Sequence, residues 1–149
     1  MTEVLFYHLV KTRMEDVLPD LLEKSLQREW RAVIHGGNRD HLEALDASLW
    51  THSDDGFLPH GMGASGEGAE QPIWLTDQDD NPNEAQIRFL IDGASIENAD
   101  DYERLVYMFD GHDEDALSGV RERWKIEKEA GHDVTYWTQN ERGGWDKKA

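Results

Sequence analysis

The chain has 149 residues, with 32 acidic and 15 basic side chains, a formal net charge of −17 and no cysteine. That length fits one domain around a single core, and the missing cysteine excludes a disulfide framework or a thiolate-metal site. The charge opposes docking on a phosphate backbone, where affinity comes largely from Lys and Arg neutralising phosphates, so no direct DNA contact is expected. The Met-Thr-Glu start lacks the basic and apolar regions of a signal peptide, and no apolar run approaches the roughly 18 residues of a membrane span. The expectation is a cytoplasmic protein without membrane contact.

In chain order, Val4 to Leu9 (VLFYHL) is a short apolar run without clean alternation, as a strand covered on both faces would show. Residues 16–30 carry Val17, Leu18, Leu21, Leu22, Leu26 and Trp30 at helical spacing, with Pro19 tolerable only in the first turn. Ala32 to His35 reads as a second strand, broken by Gly36 and Gly37. Asn38 is placed to cap a helix carrying Leu42, Leu45, Leu49 and Trp50. Residues 61–70, GMGASGEGAE, read as a flexible Gly-rich surface loop. Pro72 to Leu75 and Ile87 to Ile91 read as strands on either side of an acidic turn. Residues 100–109 and 113–130 are expected to be helical; the second opens on Asp113, Glu114 and Asp115, where the helix dipole favours anions, and Gly131 stops it. Asp133 to Gln139 is a last strand rich in β-branched and aromatic residues. The alternation predicts an α/β sandwich over residues 1–139 with a mostly parallel sheet, followed by a flexible C-terminal tail at 140–149.

Three motifs fail on context. Gly61, Gly63 and Gly66 satisfy G-x-G-x-x-G, yet a strand should precede it and a helix N-terminus should follow to hold a pyrophosphate. Asp77, Asp79 and Asn81 imitate a calcium loop, but Pro82 stands where Gly is needed and Arg88 where a bidentate Glu belongs. Seven histidines include no H-E-x-x-H pair. No metal, cofactor or catalytic residue is therefore assigned. The competing enzymatic reading is a small α/β hydrolase or nucleotide-binding enzyme using His60 as a base with Asp54 and Asp55.

Two stretches suggest binding. Trp50, Phe57, Leu58, Pro59 and His60 cluster aromatic and apolar groups across a polar turn. They either enter the core or form a platform for another protein. The run RERWKIEK (121–128) is locally cationic inside an acidic chain, and Arg121, Trp124, Lys125 and Lys128 share one helix face. That face suits an acidic peptide. The bland alternative places Trp124 in the core and pairs the cations with Glu122, Glu127 and Glu129.

These residues also carry a family resemblance. FYHL (6–9), LEALDASLW (42–50), FLPH (57–60), QPIWL (71–75) and RERWK with the following AGHDVTYW run in order over nearly the whole chain. In this the sequence resembles the chi subunit of bacterial DNA polymerase III holoenzyme. The resemblance implies a Rossmann-like three-layer α/β fold with helices on both faces and no nucleotide site. It implies a non-catalytic accessory subunit in DNA replication, joined to the clamp loader through the psi subunit and gripping the acidic C-terminal tail of single-stranded DNA-binding protein. By this resemblance the surface for psi, or for a helicase at the same place, corresponds to Trp50, Phe57, Leu58, Pro59 and His60. The tail pocket corresponds to Arg121, Trp124, Lys125 and Lys128, with Val120 and Leu117 as apolar lining. Leu117 stands where a basic residue can contribute in the family, which implies a less cationic pocket.

Overall fold

The computed structural model describes residues 3–9, 14–50, 60–62, 72–77, 84–91, 96, 102–110, 114–139 and 145–147. Within them the elements run β1 (Glu3–Leu9), α1 (Met14–Gln27), β2 (Ala32–Gly36), α2 (Arg39–Trp50), β3 (His60–Met62), β4 (Ile73–Thr76), β5 (Ile87–Ile91), β6 (Arg104–Asp110), α3 (Glu114–Glu129), β7 (Asp133–Gln139) and β8 (Trp145–Lys147). The described strands form one sheet in the order β3-β4-β2-β5-β6-β1-β7-β8. Every described pair is parallel except β7 with β8.

The apolar run of β1 is explained by its neighbours: it lies between β6 and β7, with Glu3 in register with both Arg104 and Asp133. Leu5 and Leu9 enter one core, and Val4 and Phe6 enter the other. The first core is covered by α1 through Leu18 and Leu22 and by α2 through Leu42, Leu45 and Leu49. The second is covered by α3 through Val120 and Trp124. Each fully buried Leu contributes about 1.5–3 kcal/mol relative to exposure, so the leucine spacing of the two N-terminal helices holds them to one face. The result is a three-layer α/β domain with helices on both faces, as the sequence implied.

One element was misread. Residues 100–109 were expected to be helical, whereas β6 is a strand between β5 and β1. Val106 and Met108 point into the first core, and Leu105, Tyr107 and Phe109 into the second. A continuous apolar run satisfies helical and strand templates alike, and here burial on both faces decides for the strand.

Helix ends follow local chemistry. The Asn38 side-chain oxygen accepts from the His41 amide at 3.2 Å, the expected cap on α2. After α3, Gly131 has φ +86°, its amide donates to Lys128 O at 3.1 Å, and His132 N donates to Glu127 O at 3.3 Å. This is a Schellman closure with glycine in the left-handed position. The end of α1 repeats it with Glu29 at φ 64°: Glu29 N donates to Leu26 O at 2.9 Å and Trp30 N to Ser25 O at 3.0 Å. Pro19 lies inside α1, beyond the first turn, where its missing N–H forgoes one i→i−4 bond.

Gly61 and Met62, the start of the expected Gly-rich loop, belong to β3, and residues 63–70 lie outside the described residues. Within the expected tail, Trp145–Lys147 pair with β7 as β8. Trp145 anchors that strand by meeting Tyr7 edge-on, with ring centroids 4.9 Å apart. Among the described residues no helix is long and apolar enough to cross a membrane.

Candidate partner-binding surfaces

Helix α3 presents two kinds of arginine. Arg123 turns inward, donating to Tyr107 Oη at 2.7 Å and to Ile96 O at 2.6 Å, and its Nη2 lies 2.8 Å from Glu127 Oε1. Glu127 is 2% exposed, and its other oxygen faces His132 Nε2 at 3.6 Å. The short Arg123–Glu127 contact lacks hydrogen-bond alignment, which leaves Glu127 Oε1 without a directional donor. This is an ion pair held by proximity.

Arg121, Lys125 and Lys128 are exposed, and among the described residues none has a carboxylate within ion-pair distance. The bland reading of this face is thus half right. Trp124 does pack on the second core, 5.6 Å from Phe6 and 5.9 Å from Tyr136 by ring centroids. The cations beside it, however, are not spent on Glu122, Glu127 or Glu129. Lys128 Nζ sits 5.0 Å from the Trp124 ring centroid, a cation–π distance. Val120 and Trp124 are half-buried, while the Leu117 side chain lies outside the described residues.

The sequence reading missed the opposite wall of this notch, which β7 supplies. Val134 and Tyr136 pack against the same core as Val120 and Trp124, and His8 Nδ1 lies 3.0 Å from Tyr136 Oη. Burial raises the Tyr136 phenol pKa, and the neighbouring Arg121 charge partly offsets the shift. The period-2 alternation of DVTYWTQ, which puts Val134 and Tyr136 on one face, was the available signal. This face of α3 therefore combines half-buried aromatic side chains with exposed cations, suited to a carboxylate beside an apolar ring.

The second candidate surface is only partly described. Trp50 ends α2 with its side chain outside the described residues, and Phe57, Leu58 and Pro59 also lie outside them. His60 opens β3, aligned with Ile73 of β4 at the edge of the described sheet. Between β3 and β7 the sheet steps through six strand spacings, or about 29 Å at 4.8 Å each. The backbone of His60 is thus well separated from β7.

The residues of the enzymatic alternative are only partly described. Asp54 and Asp55 lie outside the described residues, and no group of three His, Asp or Glu able to hold a metal occurs among the described ones. Arg88 donates to His35 Nδ1 at 2.8 Å and to Tyr102 Oη at 2.9 Å. Arg88 is 0% exposed, so this polar cluster braces the core and is closed to a ligand.

Comparison with known proteins gives a concordant result. The sequence profile of the family described as DNA polymerase III chi subunit, HolC, matches residues 1–135. A protein of Rickettsia prowazekii (strain Madrid E), named probable DNA polymerase III subunit chi, is 30% identical over 159 aligned positions. That alignment takes in 100% of this chain and 93% of the relative. With a family profile covering most of its length and a full-length relative, the chain belongs to the DNA polymerase III chi subunit family.

Proposed function

We propose that the chain is a non-catalytic accessory subunit of DNA polymerase III holoenzyme that grips the acidic C-terminal tail of single-stranded DNA-binding protein. Through psi it joins the clamp loader, and it works in the cytoplasm. The observation that carries this reading is one face of α3: Arg121, Lys125 and Lys128 are exposed beside Trp124, with no carboxylate within ion-pair distance among the described residues, in a chain of net charge −17.

In this mechanism a tail ending in Phe lays its ring against Trp124, Val120 and Tyr136, and Arg121 holds a carboxylate. Burying one Phe supplies roughly 1.5–3 kcal/mol and a charge-assisted hydrogen bond about the same. Ordering the tail subtracts from both. Single-tail affinity is therefore modest, and many tails along one coated strand act through effective concentration. The acidic remainder of the surface keeps the subunit from competing for the DNA itself.

Psi docks on the residues that the family resemblance assigns to it, Trp50, Phe57, Leu58, Pro59 and His60. The test is fluorescence anisotropy of a labelled, Phe-terminated acidic tail peptide over a salt series. Arg121→Ala is expected to weaken binding by about 10- to 150-fold, the equivalent of one charge-assisted hydrogen bond. Unchanged affinity in that variant refutes the assignment.

A further inference from the structure

We propose that the cleft between α1 and the floor made by β5, β6 and β1 is a second protein-binding site, which takes an acidic peptide segment carrying one large apolar side chain. The cleft encloses about 340 Å³, at the small end of ligand pockets; that is room for one bulky side chain. Its floor is apolar, with Leu5, Phe89 and Val106, and its rim carries Lys24, Arg28 and Arg104. It opens on the face of the sheet covered by α1 and α2, opposite the one α3 covers.

Three observations call for an anion here. Lys24 in the last turn of α1 and Arg28 just past its end stand four residues apart, both exposed, and among the described residues neither has a carboxylate within ion-pair distance. Like charges at that spacing repel, and the negative end of the α1 dipole offsets only about half a charge. Arg104 reaches Glu3 with one Nη2 contact at 3.4 Å, while its buried Nε has no hydrogen-bond partner. That single long contact leaves the exposed part of the guanidinium able to take a second carboxylate. Finally, the Arg28 and Arg104 guanidinium groups lie 5.0 and 5.2 Å from the Trp30 ring centroid, which holds both in place at the rim.

A peptide fits better than a nucleic acid. The lining offers apolar beside polar surface, which a segment pairing one apolar side chain with carboxylates matches, and a polyanion would meet the repulsion of a chain carrying net charge −17, whereas a short segment brings only the carboxylates that the rim can neutralise.

The test uses the full chain carrying Arg121→Ala, which disables the α3 notch. The probe is a fluorescein-labelled peptide, Glu-Asp-Ser-Glu-Phe-Asp-Asp, with its C-terminus amidated so that only side-chain carboxylates are offered. Saturable, salt-weakened binding is expected, falling by about tenfold or more when Lys24→Glu and Arg28→Glu are added. Both positions are exposed, and a matching thermal melt verifies folding. Arg28→Lys, which keeps the charge, retains most of the binding. Equal binding with and without the charge reversals, no saturation up to about 1 mM, or tighter binding of a labelled thymidine oligonucleotide than of the peptide each overturns the proposal. Because tail binding at α3 is read separately in the chain with an intact Arg121, failure of one site is distinguishable from failure of the other.

Discussion

Two arginines, two residues apart on α3, should respond to the same substitution in opposite ways. Arg123→Ala removes the donors to Tyr107 Oη at 2.7 Å and Ile96 O at 2.6 Å, and it strips the counter-ion from Glu127, which is 2% exposed. Breaking one side of a buried pair costs about 3–5 kcal/mol, because the stranded charge stays buried. His132 Nε2, 3.6 Å from the other carboxylate oxygen, is too distant to replace it. In a domain of this size each kcal/mol lowers Tm by roughly 2–4 °C, so Arg123→Ala should melt about 6–20 °C below the parent. Arg121 is exposed, and its replacement by Ala should move stability by no more than about 0.5 kcal/mol while removing most tail binding. Circular-dichroism melts and urea titrations of both variants, run beside the tail-peptide assay, separate the two roles. If Arg123→Ala melts within about 2 °C of the parent, the buried pair does not anchor α3 as described.

Further outcomes follow from other contacts. Burial pushes the Tyr107 phenol up to about 12 against the attraction of Arg123. Because the folded chain then holds a proton that the unfolded chain has released, this group's contribution is intact below pH 10 and declines between pH 10 and 12. Urea titrations across that range should show stability falling by about 2–3 kcal/mol, with phenolate absorbance at 295 nm rising together with unfolding; a fully folded chain with Tyr107 ionised at pH 11 would contradict the burial. The paired Schellman closures make opposite forecasts. Gly131→Ala should cost about 1 kcal/mol and Glu29→Gly should add up to about 1 kcal/mol, since only glycine takes the left-handed conformation freely. Chemical denaturation measures both, and a loss of stability in Glu29→Gly would show that the Glu29 side chain earns its place by contacts elsewhere.

How legible this molecule was depends on where its signals are local. The cap at Asn38, the stop at Gly131 and the bounds of β5 depend on neighbouring residues, and they were readable. The nature of Leu105 to Phe109 was not, because an unbroken apolar run carries no period and only the flanking strands β5 and β1 decide it. On α3 the sequence marked Arg121, Trp124, Lys125 and Lys128 as one face through their spacing. It could not show that Arg123, in the same basic run, is consumed by Tyr107, Ile96 and Glu127, partners from elsewhere in the fold as well as from its own helix. Tyr136 escaped notice for a related reason: its place in the notch follows from β7 lying beside β1 and beneath α3. Pro19 inside α1 shows the reverse, a local rule overridden by the leucines that hold the helix on the core.

The position of β1 also has a meaning for synthesis. Its partners along the sheet come late: Glu3 meets Arg104 from 101 residues further on, and β7 is later still. At about 5–20 residues per second, the ribosome takes roughly 5–20 s to deliver β6 after β1 has been made. Through that interval the VLFYHL segment has neither of its hydrogen-bonding neighbours, and an unpaired apolar strand is a template for aggregation. The nascent chain thus carries its most vulnerable segment from the start and buries it near the end. Truncation before β6 should leave a chaperone-dependent fragment, with the heavy acidic charge of the chain its main protection against self-association.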